Sequence, residues 1–163
     1  PRNVHAYVFG EHGDSEVPVW SLVHVAGMRL EEYCHRTGCE VSDDVRERMS
    51  RQVRDAAYEV IERKGATYYA VAAALVQIVE AALRDQHTVL TVSSLVPGCY
   101  GIDDVCPSLP SVVGRRGVER VVELALAYDE VGSLRDGAHT LRQNIEQTLF
   151  YEEEDDADVQ RQD

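Results

Sequence analysis

The chain has 163 residues, with 16 Lys+Arg against 29 Asp+Glu, a formal net charge of −13 and 44% hydrophobic residues. That is one ordinary domain, able to bury roughly 70% of its unfolded surface without a disulfide or metal staple. So acidic a chain is ill suited to nucleic acid or anionic membranes, which need a basic stripe. No apolar run reaches the roughly 20 residues of a membrane span. The start, Pro1-Arg2-Asn3-Val4-His5, has no signal-peptide design and no initiator Met, so the chain is expected to begin inside a longer protein.

Residues 4–9 (VHAYVF) alternate as a strand, with Val4, Ala6 and Val8 on one face and His5, Tyr7 and Phe9 on the other. Gly10-Glu11-His12-Gly13-Asp14-Ser15 is a glycine-bracketed loop. Val17-Pro18-Val19-Trp20 restarts the apolar pattern, and Pro18 argues against a central ladder position. Ser42 reads as an N-cap followed by Asp43 and Asp44. Val45, Met49, Val53, Ala57, Val60 and Ile61 then form one stripe of a long helix that Lys64-Gly65 closes.

Residues 67–84 are apolar nearly all round, which predicts a helix buried on most sides. Residues 88–96 (TVLTVSSLV) read as a strand ending at Pro97-Gly98, with further strands at about 102–106 and 118–124. The Gly114-Arg115-Arg116-Gly117 turn separates Val112-Val113 from the last of these. From Asp129 the spacing of Val131, Leu134, Ala138, Leu141, Ile145 and Leu149 is helical, although Gly132 and Gly137 each cost about 1 kcal/mol. From Glu152 onward seven acids and one Arg carry six of the thirteen net charges, as in a disordered, solvated tail. Strands and helices are segregated, which predicts an α+β domain of long helices packed on antiparallel strands. No G-x-G-x-x-G or P-loop occurs.

Cys34, Cys39, Cys99 and Cys106 lack the C-x2-C spacing of a zinc knuckle. They read as free, mostly buried thiols in a reducing cytosol, and no metal site is expected. The sharpest chemical feature is Gly10-Glu11-His12-Gly13-Asp14. A histidine between two glycines has open backbone around it and titrates near neutral pH. Three chemistries compete for it. Glu11, His12 and Asp14 are too close in sequence to converge easily on one ion, and Ser15 lacks a nucleophile elbow. A general acid/base acting on a carbonyl needs only the one imidazole.

The blocks NVHAYVFGEHGDSEVPVWS, RDAAYEVIERKGATYYAVA and VLTVSSLVPGCYGIDDVCPSLPSVVGRRGVE, in that order from about Asn3 to Arg142, resemble the C-terminal half of an L-lactate dehydrogenase of the lactate/malate dehydrogenase family. The resemblance implies a catalytic, substrate-binding domain over 1–151 and an acidic tail over 152–163. The family's NAD-binding Rossmann half, which would be its partner, is absent from this chain. It also implies hydride transfer between pyruvate and L-lactate, in the glycolytic fermentation of pyruvate. His12 would be the acid/base, Thr67 a pocket wall shaped for a small methyl group, and Val71 a nicotinamide contact. His5 corresponds to an interface histidine that binds fructose 1,6-bisphosphate as an allosteric effector in bacterial members. The family's substrate arginine and its histidine-orienting aspartate fall before Pro1, and Asp14 reads instead as a local cap. His24, His35, His87 and His139 have no matched role and read as surface or packing residues.

A cytoplasmic homo-oligomer, dimer or tetramer, is expected, and the chain alone should be inactive. Two alternatives stand beside this reading. One is a malate or other 2-hydroxy-acid dehydrogenase of the same fold. The other is a non-catalytic module for oligomerisation or effector binding.

Overall fold

The computed structural model describes residues 2–159, with side chains described through Leu149. The alternating run from residue 4 forms β1 (Val4–Phe9), which pairs antiparallel with β2 (Val17–Val25). A tight turn with left-handed Ala26 and Gly27 returns the chain as β3 (Met28–Arg29), giving a three-stranded sheet in the order β1-β2-β3. β2 is therefore the middle strand, against the expectation drawn from Pro18. The proline is tolerated because at that height β2 pairs only with Val8 of β1, while β3 reaches only His24 and Val25. The missing N–H is not needed on the open side.

Helix α1 (Leu30–Thr37) follows directly and ends at left-handed Gly38. That cap folds the chain back so that Cys39 meets Cys34, with Cα atoms 4.5 Å apart, and the two form a disulfide. The expectation of four free thiols is corrected here: only Cys99 and Cys106 are free, and Cys106 is exposed. The C-x4-C spacing carries no local sign of the left-handed turn at Gly38 that brings the two sulfurs together.

Helix α2 (Asp43–Lys64) starts at Ser42 and closes on Gly65, whose N–H reaches the Ile61 carbonyl at 2.7 Å. Ser42 occupies the N-cap position, but its side chain makes no capping hydrogen bond. The apolar stripe exists, yet no residue of α2 is buried. A cavity of about 350 Å³ lined by Val8, Val19, Met49 and Val53 separates the helix from the first sheet. Polar clamps hold α2 instead: Trp20 Nε1 donates to Ser50 Oγ at 3.1 Å, and the Arg46 guanidinium lies 5.8 Å from the Trp20 ring centre.

Helix α3 (Tyr69–Leu83) corrects a second expectation. Only Ala81 is buried, while Leu75 and Leu83 are 56% and 74% exposed. Its one packed side rests on the second sheet, and the rest of its apolar surface has no partner among the described residues.

The second sheet runs β4 (Thr88–Ser93), β5 (Ser108–Gly114), β6 (Gly117–Val121), all antiparallel. No strand forms at 102–106. That stretch is a single 3-10 turn at Cys99–Gly101 and the coil after it, pinned by Tyr100. Tyr100 Oη donates to the Leu124 carbonyl at 2.9 Å and accepts from the Leu124 N–H at 2.8 Å. The middle strand is β5, which carries Pro110 between Ser108 and Ser111, directly after Pro107, and so lacked a strand signature. Helix α4 (Tyr128–Val159) closes the fold. The side chains of the acidic tail from Glu152, and residues 160–163 altogether, lie outside the described residues. The core sits between the two sheets and the start of α4: Phe9, Val19, Val96, Ile102, Val105, Leu109 and Leu134. Burying each such side chain is worth about 1.5–3 kcal/mol.

Candidate functional site

The His12 loop is where these layers meet. At the end of β1, Gly10 adopts φ +99° and exchanges two backbone hydrogen bonds with Ser108 of β5, at 2.9 and 2.7 Å. This bridge ties the first sheet to the second. Leu134 of α4 stands 3.2 Å from where a Gly10 Cβ would be, so the position is closed to larger residues for both backbone and space.

Gly13 serves the loop differently. A Cβ there would fall 2.2 Å from Glu11 Oε1, so only glycine lets the Glu11 carboxylate fold back. Glu11 accepts from both the N–H and the hydroxyl of Ser15. Gly137 of α4, costly inside a helix, sits against the same turn. Its absent Cβ would be 3.3 Å from Ser15 Oγ and 3.4 Å from the Ser15 carbonyl. The glycine lets α4 press directly on the loop. Asp14 accepts a 2.8 Å hydrogen bond from the Tyr58 hydroxyl of α2, which raises the Tyr58 pKa above its ordinary value. The cap expected at Asp14 is thus a clamp to α2, and Glu11 does the local capping.

With Glu11 and Asp14 engaged elsewhere, His12 is left exposed. Two cavities open beside it. One, about 310 Å³, is lined by Val8, Phe9, Glu16, Thr91 and Ser108. The other, about 620 Å³, lies between α3 and the second sheet, with Leu75, Ile78, Thr91 and Val118 in its walls. The arrangement is an accessible imidazole at the mouth of a half-apolar cleft, able to give or take one proton from a small ligand.

Thr67 is half-buried just before α3, where Tyr68 takes the N-cap position. Val71, in the first turn of α3, is half-exposed. Neither lines the two cavities beside His12, whose α3 wall comes from Leu75, Ile78 and Ala82 further along the helix. His5 is exposed on β1, opposite His24, which is itself opposite Arg29. Directly paired residues share a face, so His5, His24 and Arg29 form one row across the sheet. His24 reads in the sequence only as a surface or packing residue and the Tyr58 clamp leaves no sequence signal, because neither sits in a chemical motif; strand register and helix phase bring them in.

A dinucleotide fits these residues only at one end. Its pyrophosphate needs a glycine-rich turn before a helix N-terminus. Here α2 begins with Asp43 and Asp44, which repel phosphate, and α3 begins with Tyr68 and Tyr69. The exposed apolar face of α3 can wall one side of a flat ring.

The fold is an α+β domain with an exposed histidine in the loop that joins its two sheets. Residues 1–151 match the description "lactate/malate dehydrogenase, alpha/beta C-terminal domain", and the chain belongs to that family. It is 53% identical over 148 residues to an L-lactate dehydrogenase of Moorella thermoacetica, covering 90% of this chain and 47% of that protein. It is 48% identical over 145 residues to L-lactate dehydrogenase 1 of Clostridium acetobutylicum, covering 89% and 46%. Among solved structures, a lactate dehydrogenase from a Medee basin deep-sea metagenome library superposes with a TM-score of 0.84 at 40% identity, covering 89% of this chain and 46% of that one. The chain spans about half the length of the curated relatives it matches.

Proposed function

We propose that this chain is the substrate-binding, proton-transferring half of an NAD-dependent L-lactate dehydrogenase that interconverts pyruvate and L-lactate. The observation that carries the reading is the exposed His12 imidazole. A bridge to the second sheet at Gly10 and the Gly137 contact with α4 hold its loop in place, and it faces a cleft beside α3. The relatives' name, L-lactate dehydrogenase, supports the substrate pair.

NAD, when bound, supplies or accepts the hydride at the substrate carbon. Protonated His12 hydrogen-bonds the ketone oxygen of pyruvate and transfers its proton as negative charge grows there, leaving the neutral ring and lactate. In the other direction neutral His12 takes the hydroxyl proton of lactate. Such a group serves both directions when its pKa lies near the working pH. Glu11 and Asp14 are committed to Ser15 and Tyr58, so a carboxylate from the other half of the enzyme orients the ring. Thr67 and Val71 stand outside the two cavities beside His12, and family membership alone supports their roles: Thr67 bounding the methyl side of the substrate, which favours pyruvate over oxaloacetate, and Val71 contributing to the wall beside the nicotinamide. The row of His5, His24 and Arg29 supports an anion site of the kind a sugar bisphosphate effector uses. The enzyme works as a cytoplasmic homo-oligomer.

The test joins this chain to the NAD-binding half of the Moorella thermoacetica relative and assays pyruvate with NADH. Replacing His12 by Asn is expected to lower kcat/KM by at least about 10²-fold, the usual worth of a positioned proton donor. An unchanged rate would overturn the assignment, and a preference for oxaloacetate would move the substrate to malate. The unjoined 163-residue chain is expected to show no NADH oxidation. Turnover by it that vanished in His12→Asn would refute the need for a second half.

A further inference from the structure

Three metal-ligating side chains meet at the end of the second sheet remote from His12. Asp85 and His87 lie in the short connection between α3 and β4, and Glu119 lies in β6. One donor atom from each lies within 4.8 Å of the others. His87 Nδ1 is 3.0 Å from a Glu119 carboxylate oxygen, and its Nε2 is 3.5 Å from Asp85 Oδ1. Gly114 forms the floor beneath them. A Cβ at that position would sit 3.0 Å from Glu119 Oε1, 3.1 Å from His87 Nδ1 and 3.2 Å from Asp85 Oδ1. A side chain at position 114 would thus press on one imidazole nitrogen and two carboxylate oxygens at once. Gly114 lies in β5 without a left-handed backbone, so conformation does not demand glycine there. Crowding by the three donor atoms does.

We propose that this cluster is a divalent-metal site of the zinc class, with Asp85, His87 and Glu119 as its protein ligands and water completing the tetrahedron. Nitrogen and carboxylate oxygen donors suit Zn²⁺, which binds them at about 2.0–2.2 Å. Two ligands of such a tetrahedron stand about 3.3 Å apart, close to the 3.0 Å between His87 Nδ1 and a Glu119 carboxylate oxygen. The His87 and Asp85 side chains are partly open to solvent and have room to adjust around an ion. Two carboxylates and a neutral imidazole match the ion's double charge. The Arg115 N–H, 2.8 Å from Asp85 Oδ1, orients that carboxylate from behind, as outer partners of metal ligands do. The Arg116 guanidinium lies 3.5 Å from Glu119 Oε1 on a side chain that is 82% exposed, so it is free to swing away. Gly114 is six residues along β5 from Ser108, the partner of Gly10. The site is thus about 20 Å along the strand from the His12 loop.

The full chain, stripped with a chelator, is titrated with Zn²⁺ by calorimetry. One ion per chain is expected, with the His87 ring resonances shifting in the same range. His87→Ala and Glu119→Gln are each expected to weaken binding at least about tenfold. Gly114→Ala is expected to do the same with all three ligands intact, because its methyl group would press on all three donor atoms. Cys99→Ser combined with Cys106→Ser should leave affinity unchanged. Melting curves without metal show that each variant is folded. Absence of saturable binding would overturn the proposal, as would affinity indifferent to His87→Ala and Glu119→Gln, or lost only in the cysteine variant.

Discussion

At the scale of single residues, much of this fold depends on what particular side chains leave room for. Glu11 can cap Ser15 only because residue 13 has no Cβ, and α4 can press on that turn only because residue 137 has none. Tyr100 is the opposite case, a large side chain whose one oxygen satisfies both backbone groups of Leu124. Tyr100→Phe strands that N–H and carbonyl together. It is expected to cost about 1–2 kcal/mol, read as a Tm lower by roughly 3–6 °C. Burial pushes the Tyr100 phenol above its ordinary value; the Leu124 N–H opposes this, and the nearby Glu123 carboxylate adds to it. The folded state therefore holds this proton more tightly than the unfolded one. Its contribution is whole below about pH 10, where both states are protonated, and is lost as pH rises through the folded value. Denaturant midpoints from pH 8 to 11 are expected to show the gap between wild type and Tyr100→Phe narrowing at the alkaline end.

At the scale of elements, α1 and α3 departed from the sequence reading for different reasons. Helix α1 was not foreseen because it is eight residues long and opens on a mixed run, LEEYCHRT. A short helix is marginal alone, and here Gly38 and the Cys34–Cys39 bridge close its end. Closing so small a loop is worth about 2 kcal/mol in the chain-entropy account. Reduction with dithiothreitol, or Cys34→Ser, is expected to lower Tm by a few degrees and to speed amide exchange through Leu30–Thr37 selectively. Equal exchange in the reduced and oxidised forms would show that the bridge does not hold the helix. Helix α3 was placed correctly along the chain, within a few residues of its ends. Only its surroundings were misjudged, since an all-round apolar helix tells that it must be covered and not by what.

At the scale of the whole molecule, that uncovered surface is the main physical fact. Val76, Val79 and Leu83 stand open on α3, and Met49, Val53 and Ile61 on α2. Contiguous apolar area of this kind drives association. The chain is expected to self-associate with increasing concentration in light scattering. A Leu83→Glu and Val76→Glu pair should shift it towards monomer without moving Tm by more than about 1 kcal/mol equivalent, since neither residue is buried. A monodisperse monomer at high concentration would show that α3 is covered from within.

Period and punctuation made β1, α2, α3, β4 and α4 legible, because alternation, a helical stripe and a glycine stop are local properties of the chain. The His12 loop was legible too, since two glycines around an imidazole are written in five consecutive residues. What only the tertiary structure decided was everything set by contact at long range. It made β5, with Pro110 inside it, the middle strand and turned Asp14 towards Tyr58, 44 residues away. It also gathered Asp85, His87 and Glu119 at one end of the second sheet. Local sequence sets which conformations are cheap, but burial and hydrogen-bond partners are shared between distant segments, and only the packed chain assigns them.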